Sequence, residues 1–376
     1  MIRSISKSIA IRYGNVVRWL SCAVLLTVFS SFAFSLGPGE VQIQKCWSHV
    51  DGAGSRSSLS AFGGTIFSVR SGSVVEAISF DSGKLAWSSD VGGSIASNLI
   101  TDGKNLFFVR RSGGAADKTS EAFLISISAN AGITRWKIPL RSGEDYRLAL
   151  TQAGLLAITA GGDASVVSTA DGAVLSNRKL TRPISLGILD LGQWSIISSV
   201  EREILKIDGN EEPQILSRSD FAVTALLLEA SGGVFYGNER GTLAFLSGKG
   251  QRPVWQFKSG GAISDITLTD GRVIAASNDN FVYALATANG ARLWKRRVTG
   301  RVSALKMIGD DLLLVQPLGD DNIIFLNIKN GSVAGQIPAT PGEFVLDSVV
   351  IDSNRLALAT DSGLYGYSIG GCGTAK

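Results

Sequence analysis

Residues that could carry out catalysis or bind a metal are sparse in this sequence. The one histidine of the chain, His49, has no second imidazole with which to form a metal site or a catalytic triad. No Gly-x-Ser-x-Gly motif stands between a strand and a helix, and no glycine-rich loop precedes a helix as in phosphate-binding sites. We therefore predict no catalytic residues and no metal ligands, and we expect His49 at the surface or at a sheet edge.

Two acidic pairs could supply oxygen ligands to a hard cation such as calcium, namely Asp310-Asp311 and Asp320-Asp321. Each pair flanks a short apolar run that is typical of a strand. Aspartate is also a common turn residue, because its side chain bonds to nearby backbone groups. We therefore interpret both pairs as turns rather than as a calcium site.

The elements that would position such residues repeat along the chain. Residues 271–298 have the pattern of three short strands separated by polar turns. Asn289-Gly290 is a strong hairpin turn because both residue types tolerate positive φ. The next tryptophan, Trp294, follows Gly290 by four residues. Similar spacings recur elsewhere: four residues from Gly83 to Trp87 and from Gly132 to Trp136, and five from Gly250 to Trp255.

The tryptophan position marks a period of about 40 residues, which with about four strands per unit is typical of β-propeller blades. This period predicts an all-β fold with eight four-stranded antiparallel blades. We expect residues 344–369 to form most of the last blade and the N-terminal strand, residues 43–49, to complete it. The eight positions are Trp47, Trp87, Trp136, Ser176, about Gln214, Trp255, Trp294 and Gly335.

Two cysteines, Cys46 and Cys372, lie near the two ends of the repeat region. The repeat register places Cys46 on an outermost strand and Cys372 near the turn that would precede such a strand. In an oxidising compartment, this placement predicts a disulfide bond that locks the closed ring. Two buried free thiols are the alternative.

Residues 1–35 differ in composition from the rest of the chain. They contain four basic residues and no acidic residue, and positions 20–34 are apolar or small. This is the form of a secretory signal with cleavage before Leu36, which leaves one mature domain at residues 36–376. An uncleaved N-terminal anchor is the alternative. Cys22 makes a poor lipoprotein site, because it lies only three residues into the apolar stretch and follows Trp19 where an aliphatic residue is expected.

The basic character of the chain resides in this leader. Four of the 36 Lys and Arg residues lie there, which leaves 32 basic against 32 acidic residues in the remainder. The mature chain is therefore neutral, and a nucleic-acid role loses its main support.

The clearest repeats, FVYALATANGARLW and VVEAISFDSGKLAW, resemble the pyrroloquinoline-quinone-type (PQQ-like) repeat of eight-bladed propellers. The resemblance covers nearly all of residues 43–369 and is strong in blades one, two, five and six. Blades three, four and seven are recognised by spacing alone. In such propellers the tryptophan and glycine residues lock adjacent blades together. The resemblance thus implies structural roles for Trp47, Trp87, Trp136, Trp255, Trp294, Gly83, Gly132 and Gly290.

The resemblance leaves two functional classes open. The enzymatic branch consists of quinone-dependent dehydrogenases, which bind PQQ with calcium and often carry adjacent cysteines. This chain has no adjacent cysteines and is short for the large loops of those active sites. We therefore expect no cofactor, with PQQ and calcium as the alternative. The non-catalytic branch includes the propeller lipoprotein of the bacterial outer-membrane barrel assembly machinery, a docking scaffold, and related propellers occur in the endoplasmic-reticulum lumen.

Two neighbouring loops are candidates for binding a partner. In a propeller, the loops that join second to third strands lie on the same face as those that join successive blades. Residues 110–121 form a long glycine-rich loop of the first kind, and residues 140–147 form the adjacent loop of the second kind. Loops on a rigid frame commonly carry binding sites. We therefore predict a protein-binding surface, which we call the loop patch: Arg110, Arg111, Lys118, Arg141, Asp145 and Tyr146. A tolerated insertion is the alternative.

Together these features predict an exported, monomeric, non-catalytic propeller that acts as a protein-interaction scaffold in envelope or membrane-protein assembly. We expect it in the periplasm or outside the cell. The functional alternative is a quinone- or small-ligand-binding protein. The alternative location is the endoplasmic-reticulum lumen, where Asn330-Gly331-Ser332 would be a glycosylation sequon.

Overall fold

The computed structural model of the protein describes residues 40–50, 56–113, 120–141, 143–191, 195–207, 212–248 and 251–372. Within these ranges the strands form eight antiparallel sheets, and seven of them have four strands each. The predicted all-β class and the predicted number of blades are confirmed. The predicted leader at residues 1–35 lies outside the described residues.

The strands follow one another in blade order, after an N-terminal strand that belongs to the last blade. The N-terminal strand and the first four blades comprise β1 (Ile43–His49), β2 (Arg56–Phe62), β3 (Thr65–Arg70), β4 (Val74–Ser79), β5 (Leu85–Asp90), β6 (Ser94–Ile95), β7 (Ile100–Thr101), β8 (Asn105–Arg111), β9 (Ala122–Ser128), β10 (Thr134–Leu140), β11 (Tyr146–Thr151), β12 (Gly154–Thr159), β13 (Asp163–Val167), β14 (Val174–Lys179), β15 (Ile184–Leu191), β16 (Ser195–Ser199), β17 (Glu203–Ile207) and β18 (Gln214–Arg218).

The second half of the ring has the same organisation. Blades five to eight comprise β19 (Val223–Leu228), β20 (Val234–Asn238), β21 (Thr242–Leu246), β22 (Trp255–Lys258), β23 (Ile263–Thr269), β24 (Arg272–Ser277), β25 (Phe281–Ala286), β26 (Arg292–Arg297), β27 (Val302–Ile308), β28 (Leu312–Pro317), β29 (Ile323–Asn327), β30 (Val333–Ile337), β31 (Val345–Val350), β32 (Arg355–Thr360) and β33 (Leu364–Ile369).

The first strands of the blades form a closed inner ring. Each contacts the first strand of the blade before it and of the blade after it, in the order β2, β7, β11, β15, β19, β23, β27, β31 and back to β2. In blade two this inner strand is divided into β6 and β7, and both pieces pair with β8. The inner strands therefore surround a central axis, and the loops lie on two opposite faces.

Burial within a blade follows from its position between two neighbours. In blade six, all but one residue of β24 is buried, whereas the outermost strand β26 exposes most of its residues to solvent. Strands covered on both faces have nearly continuous apolar sequences, as in β24 and β28. The cores accordingly lie between blades: one cluster joins Ile274 and Val282 of blade six to Leu313 and Val315 of blade seven.

The last blade is closed by the N-terminal strand, as predicted. Its strand order is β1-β33-β32-β31, and β1 pairs with β33 from Ile43 opposite Ile369 to His49 opposite Leu364. A bulge between Lys45 and Trp47 leaves Cys46 without a partner in the ladder. This pairing joins residues from the two ends of the repeat region.

The predicted disulfide is present between Cys46 and Cys372, which are 326 residues apart in sequence. Their Cα atoms are 5.4 Å apart, within the usual range for a disulfide. Because Cys46 lies in the bulge of β1, the bond fastens the closing strand to the segment that follows β33.

Replacing both cysteines by serine should lower the stability of the ring. The chain-entropy model sets an upper bound of about 5 kcal/mol for a loop of this length. We expect the Cys46→Ser/Cys372→Ser variant to unfold at lower guanidinium concentration than the oxidised wild type. A reducing agent should destabilise the wild type to the same extent and leave the variant unaffected. Equal midpoints for the oxidised wild type and the double variant would contradict a stabilising bond.

Candidate functional site

Five junctions between blades share one contact, in which an indole ring lies against a glycine of the next blade. An alanine methyl group at any of these glycines would lie within 3.0 Å of the indole, since the ring covers the Cα atom. Each indole Nε1 donates a hydrogen bond to the carbonyl three residues before that glycine. The pairs are Trp47/Gly83, Trp87/Gly132, Trp136/Gly172, Trp255/Gly290 and Trp294/Gly331. Sequence reasoning did not assign Gly172 or Gly331 to the contacts between blades, although Asp171-Gly172 and Asn330-Gly331 have the same turn chemistry as Asn289-Gly290.

Glycine is required at these positions for two reasons. Gly290 has φ +70°, which side chains rarely adopt, and an added Cβ atom would lie 2.5 Å from the Trp255 ring. Gly271, in the same blade, has φ +64° but no atom within 4 Å of that position. Alanine substitutions at the two glycines can therefore be compared to separate the free-energy cost of backbone strain from the cost of displacing the indole.

Gly290→Ala should therefore destabilise the protein more than Gly271→Ala. Both variants carry the backbone strain, on the order of 1 kcal/mol, and only the first also moves Trp255. The comparison is made by guanidinium unfolding followed by tryptophan fluorescence. If the two variants had equal midpoints, the indole contact would not lock blades five and six.

The remaining three positions of the repeat carry no tryptophan. Ser176 and Gly335 stand directly after the outer-strand bulge, as Trp47, Trp87, Trp136 and Trp294 do. In blade four the equivalent residue is Ser217, not the region of Gln214 that the spacing predicted, because the bulge lies between Ser217 and Ile215. The Ser217 hydroxyl donates a 2.8 Å hydrogen bond to the Gln251 carbonyl of blade five. This hydrogen bond links blades four and five. Because serine is much smaller than tryptophan, an open groove lies beside Ser217 where an indole would otherwise lie.

The structure brings two parts of the loop patch together through Arg111. This side chain is 2% exposed, donates a 2.6 Å hydrogen bond to the Gly143 carbonyl, and lies 3.2 Å from Asp145. On the other side of the same loop, Glu144 accepts a hydrogen bond from the Gly161 amide of blade three. The loop between blades two and three is therefore fixed to both blades.

The members of the loop patch differ in their exposure. Arg111 and Tyr146 are buried, so they hold the loops and do not face solvent. Arg141 is exposed, and the Asp145 side chain is 66% exposed. Arg110 bonds to the Gly92 carbonyl and lies over the Phe123 ring. Lys118 lies outside the described residues, so its proximity to the others remains a prediction.

A row of charged residues on three inner strands was missed by sequence reasoning. Asp265 accepts a 2.7 Å hydrogen bond from the Leu305 amide of the next blade, and Asp347 accepts a 2.8 Å bond from the Leu59 amide in the same way. Lys306, between them in the ring, lies 3.3 Å from Asp347. Burial raises the pKa of Asp265, and the hydrogen bonds from Leu305 and Ile266 partly offset this effect. The available signal was a single aspartate in each of β23 and β31 and a single lysine in β27.

These inner-strand carboxylates do not fit a calcium and quinone site. Both Asp265 and Asp347 accept backbone N–H groups of neighbouring strands, and Lys306 further neutralises Asp347. Their oxygen atoms are thus already used to link blades. Among the described residues, no three His, Cys, Asp or Glu side chains cluster in a way that could hold a metal.

Asp311 and His49, which the sequence offered as a possible cation ligand and a possible metal ligand or catalytic residue, both have structural contacts. Asp311 forms a 2.8 Å ion pair with Lys329, in agreement with a turn at the edge of blade seven. His49 was expected at the surface or at a sheet edge; it lies on β1, the edge strand of the last sheet, but it is only 6% exposed, so the edge position is confirmed and the surface position was wrong. It is the last residue of β1 and pairs with Leu364, which is fully buried, so closure of the last blade covers it.

The described part of the chain has no apolar helix of membrane-spanning length. Its geometry is that of a closed eight-bladed propeller of the PQQ-like class, with indole–glycine contacts between blades and with carboxylates that join inner strands. The chain belongs to the family described as outer membrane protein assembly factor BamB, whose family model matches residues 39–186 and 207–363.

Several solved structures share the fold. BamB from Moraxella catarrhalis is 16% identical, with a TM-score of 0.68 over 87% of this chain and 100% of that one. The computationally designed Ika8 protein is 14% identical, with a TM-score of 0.70 over 86% and 99% of the two chains. The C-terminal WD40 domain of Sif2 is 11% identical, with a TM-score of 0.72 over 88% and 99%. The sequence has no significant match among curated proteins.

At these identities the structural likeness shows the fold alone, and the family match carries the further conclusions. Membership of the family, together with the disulfide, indicates an extracytoplasmic protein. It also indicates that the propeller works through protein partners.

Proposed function

We propose that this protein is an exported, non-catalytic scaffold that docks partner proteins during envelope or membrane-protein assembly. The observation that carries the proposal is the attachment of the loop between blades two and three to both blades, through Arg111 and Glu144. A loop held in this way presents its exposed side chains with little loss of conformational entropy on binding. The family description, an outer membrane protein assembly factor, supports the same role.

The contact surface in this proposal is the exposed part of the loop patch. Arg141 and Asp145 carry opposite charges on this loop. Arg110 lies on the other face of β8, where it bonds to Gly92 in the loop between blades one and two, and it would contact the partner from that side. Lys118 would add a second basic group from the neighbouring loop. A mixed-charge surface of this kind favours a specific orientation of the partner and raises the association rate more than the affinity.

The proposed location is the bacterial periplasm. Residues 1–35 have the composition of a secretory leader, and the disulfide needs an oxidising compartment to persist. Cys22 has poor surroundings for lipid attachment. We therefore propose a protein released into the periplasm as a monomer, which reaches the membrane through its partner.

A site-specific photo-crosslinker tests this surface in living cells. Placed at Arg141, it should yield one dominant crosslinked protein species. Placed at Asp270, which lies in a turn on the opposite face of the ring, it should not. Deleting Gly113 to Thr119 should reduce the crosslink at Arg141 at least severalfold without changing the unfolding midpoint. Equal crosslinking from both faces, or an unchanged yield after the deletion, would overturn the proposed surface.

A further inference from the structure

A cavity of about 230 Å³ lies between blades seven and eight. At this junction, Gly335 occupies the tryptophan position, and Ile43 of the closing strand packs beside it. Beyond Ile337, Pro338 ends β30, and residues 338–344 cross to the last blade. The space between this segment and the outer strands of blade eight stays unfilled and opens towards the face that carries the loop patch.

The floor of the cavity is apolar, and its walls are polar. Ile323, Ile337, Val345 and Leu358 form the floor. Its volume is below the roughly 300–1,000 Å³ of sites for small-molecule ligands, which suits a single side chain better than a cofactor. The walls include Tyr365, Tyr367, Glu343, Asp321 and Lys45.

Glu343 is fixed in place and remains ionised. Thr360 donates a 2.5 Å hydrogen bond to its Oε1 atom, and the Ser362 hydroxyl donates a second bond to the same atom. Burial acts to raise the pKa of Glu343, but hydrogen bonds from Ser362, Thr360 and other hydroxyl groups hold it below its usual value. The carboxylate is therefore negative throughout the neutral range.

The aromatic walls are suited to a cation. Burial, followed by the nearby charge of Glu343, raises the pKa of Tyr367 to about 12, so its phenol stays neutral. The Lys45 ammonium lies 4.9 Å from the centroid of the Tyr365 ring. This contact within the chain shows that a positive charge is favourable beside the Tyr365 ring.

The charges in the cavity do not balance. Two carboxylates, Glu343 and Asp321, face one ammonium group, that of Lys45. Neither carboxylate forms an ion pair with any basic residue in the described part of the chain. A second cation would complete the site.

We propose that this cavity receives an arginine side chain from a partner protein. A planar guanidinium group stacks on tyrosine rings and pairs with carboxylates through two parallel hydrogen bonds, whereas an ammonium group is a compact point charge. The aliphatic stem of arginine would cover the apolar floor. This inference rests on the proposed scaffold role, but it concerns a site separate from the loop patch.

Peptide binding to the whole mature protein tests the inference directly. The probe is a short capped peptide, Gly-Gly-Arg-Gly-Gly, and the readout is the methyl NMR signals of Ile323 and Ile337 in the cavity floor. The arginine peptide should shift both signals saturably. The same peptide with uncharged citrulline should have no effect. Ethylguanidine, a free guanidinium compound with a single positive charge, should bind more weakly than the peptide. Equal or tighter binding of ethylguanidine would overturn the docking proposal, because the site would then suit a free small cation.

Two substitutions should change the affinity in opposite directions. Glu343→Gln should weaken peptide binding about tenfold or more, because it removes the fixed charge. Lys45→Ala should strengthen it severalfold, because it removes the competing cation. Asp270→Asn, in an exposed turn on the opposite face, is the matched control and should have no effect. Circular dichroism and the unfolding midpoint confirm that each variant is folded. If Glu343→Gln and Lys45→Ala both left the affinity unchanged, the inference would be wrong.

Loss of the loop-patch crosslink and loss of peptide binding are independent results. Deleting Gly113 to Thr119 should leave the methyl shifts intact. Glu343→Gln should leave the crosslink at Arg141 in place. The scaffold proposal and the arginine site can thus fail separately.

Discussion

The pairing of the first strand with the last is the interaction on which the rest of the structure depends. Without β1, the outer edge of β33 would expose a row of unpaired backbone groups, which is an aggregation hazard. The same N-terminal segment does more than fill that edge. Trp47 packs on Gly83 of blade one, and Ile43 packs beside Gly335 of blade seven. One short segment therefore supplies contacts at both junctions of the last blade.

The junctions between blades show how a repeat can tolerate variation. Five of them use the indole–glycine contact, and one uses the Ser217 hydroxyl. These differences are tolerable because each junction is also filled by apolar side chains of the inner strands, as between blades six and seven. Inner-strand carboxylates such as Asp265 add a second link nearer the axis. At two junctions without the indole, between blades four and five and between blades seven and eight, space remains between the blades, and such space could develop into a binding site.

Much of the architecture could be predicted from local sequence, because blades are built from adjacent strands and marked by turns. The positions of Gly290 and Trp294 were sufficient to define a blade, and the places of Cys46 and Cys372 in the repeat implied closure. Blade four was harder, since its outer strand has only five residues and no tryptophan, so spacing placed the equivalent of Trp294 near Gln214 rather than at Ser217. This error of three residues did not affect the predicted order of the strands, which the structure confirms.

The candidate sites were less accessible to such reasoning. Arg111 looked like a surface residue in a basic loop, but its burial depends on where the next inter-blade loop folds. The cavity beside Glu343 combines side chains from β1, β29, β30, β31, β32 and β33. No local pattern reports the distance between strands that are far apart in sequence, and no periodicity reveals an unfilled volume.

The bond between Cys46 and Cys372 makes the polypeptide between them a covalent macrocycle. A protease that cuts one surface turn of the oxidised ring would release no fragment, because both pieces stay joined through the sulfur atoms. For the same reason, the arrangement of the sheets does not require the chain ends to lie in the last blade. A gene that joins the old termini and opens the circle at another turn would encode the same eight sheets in a rotated order.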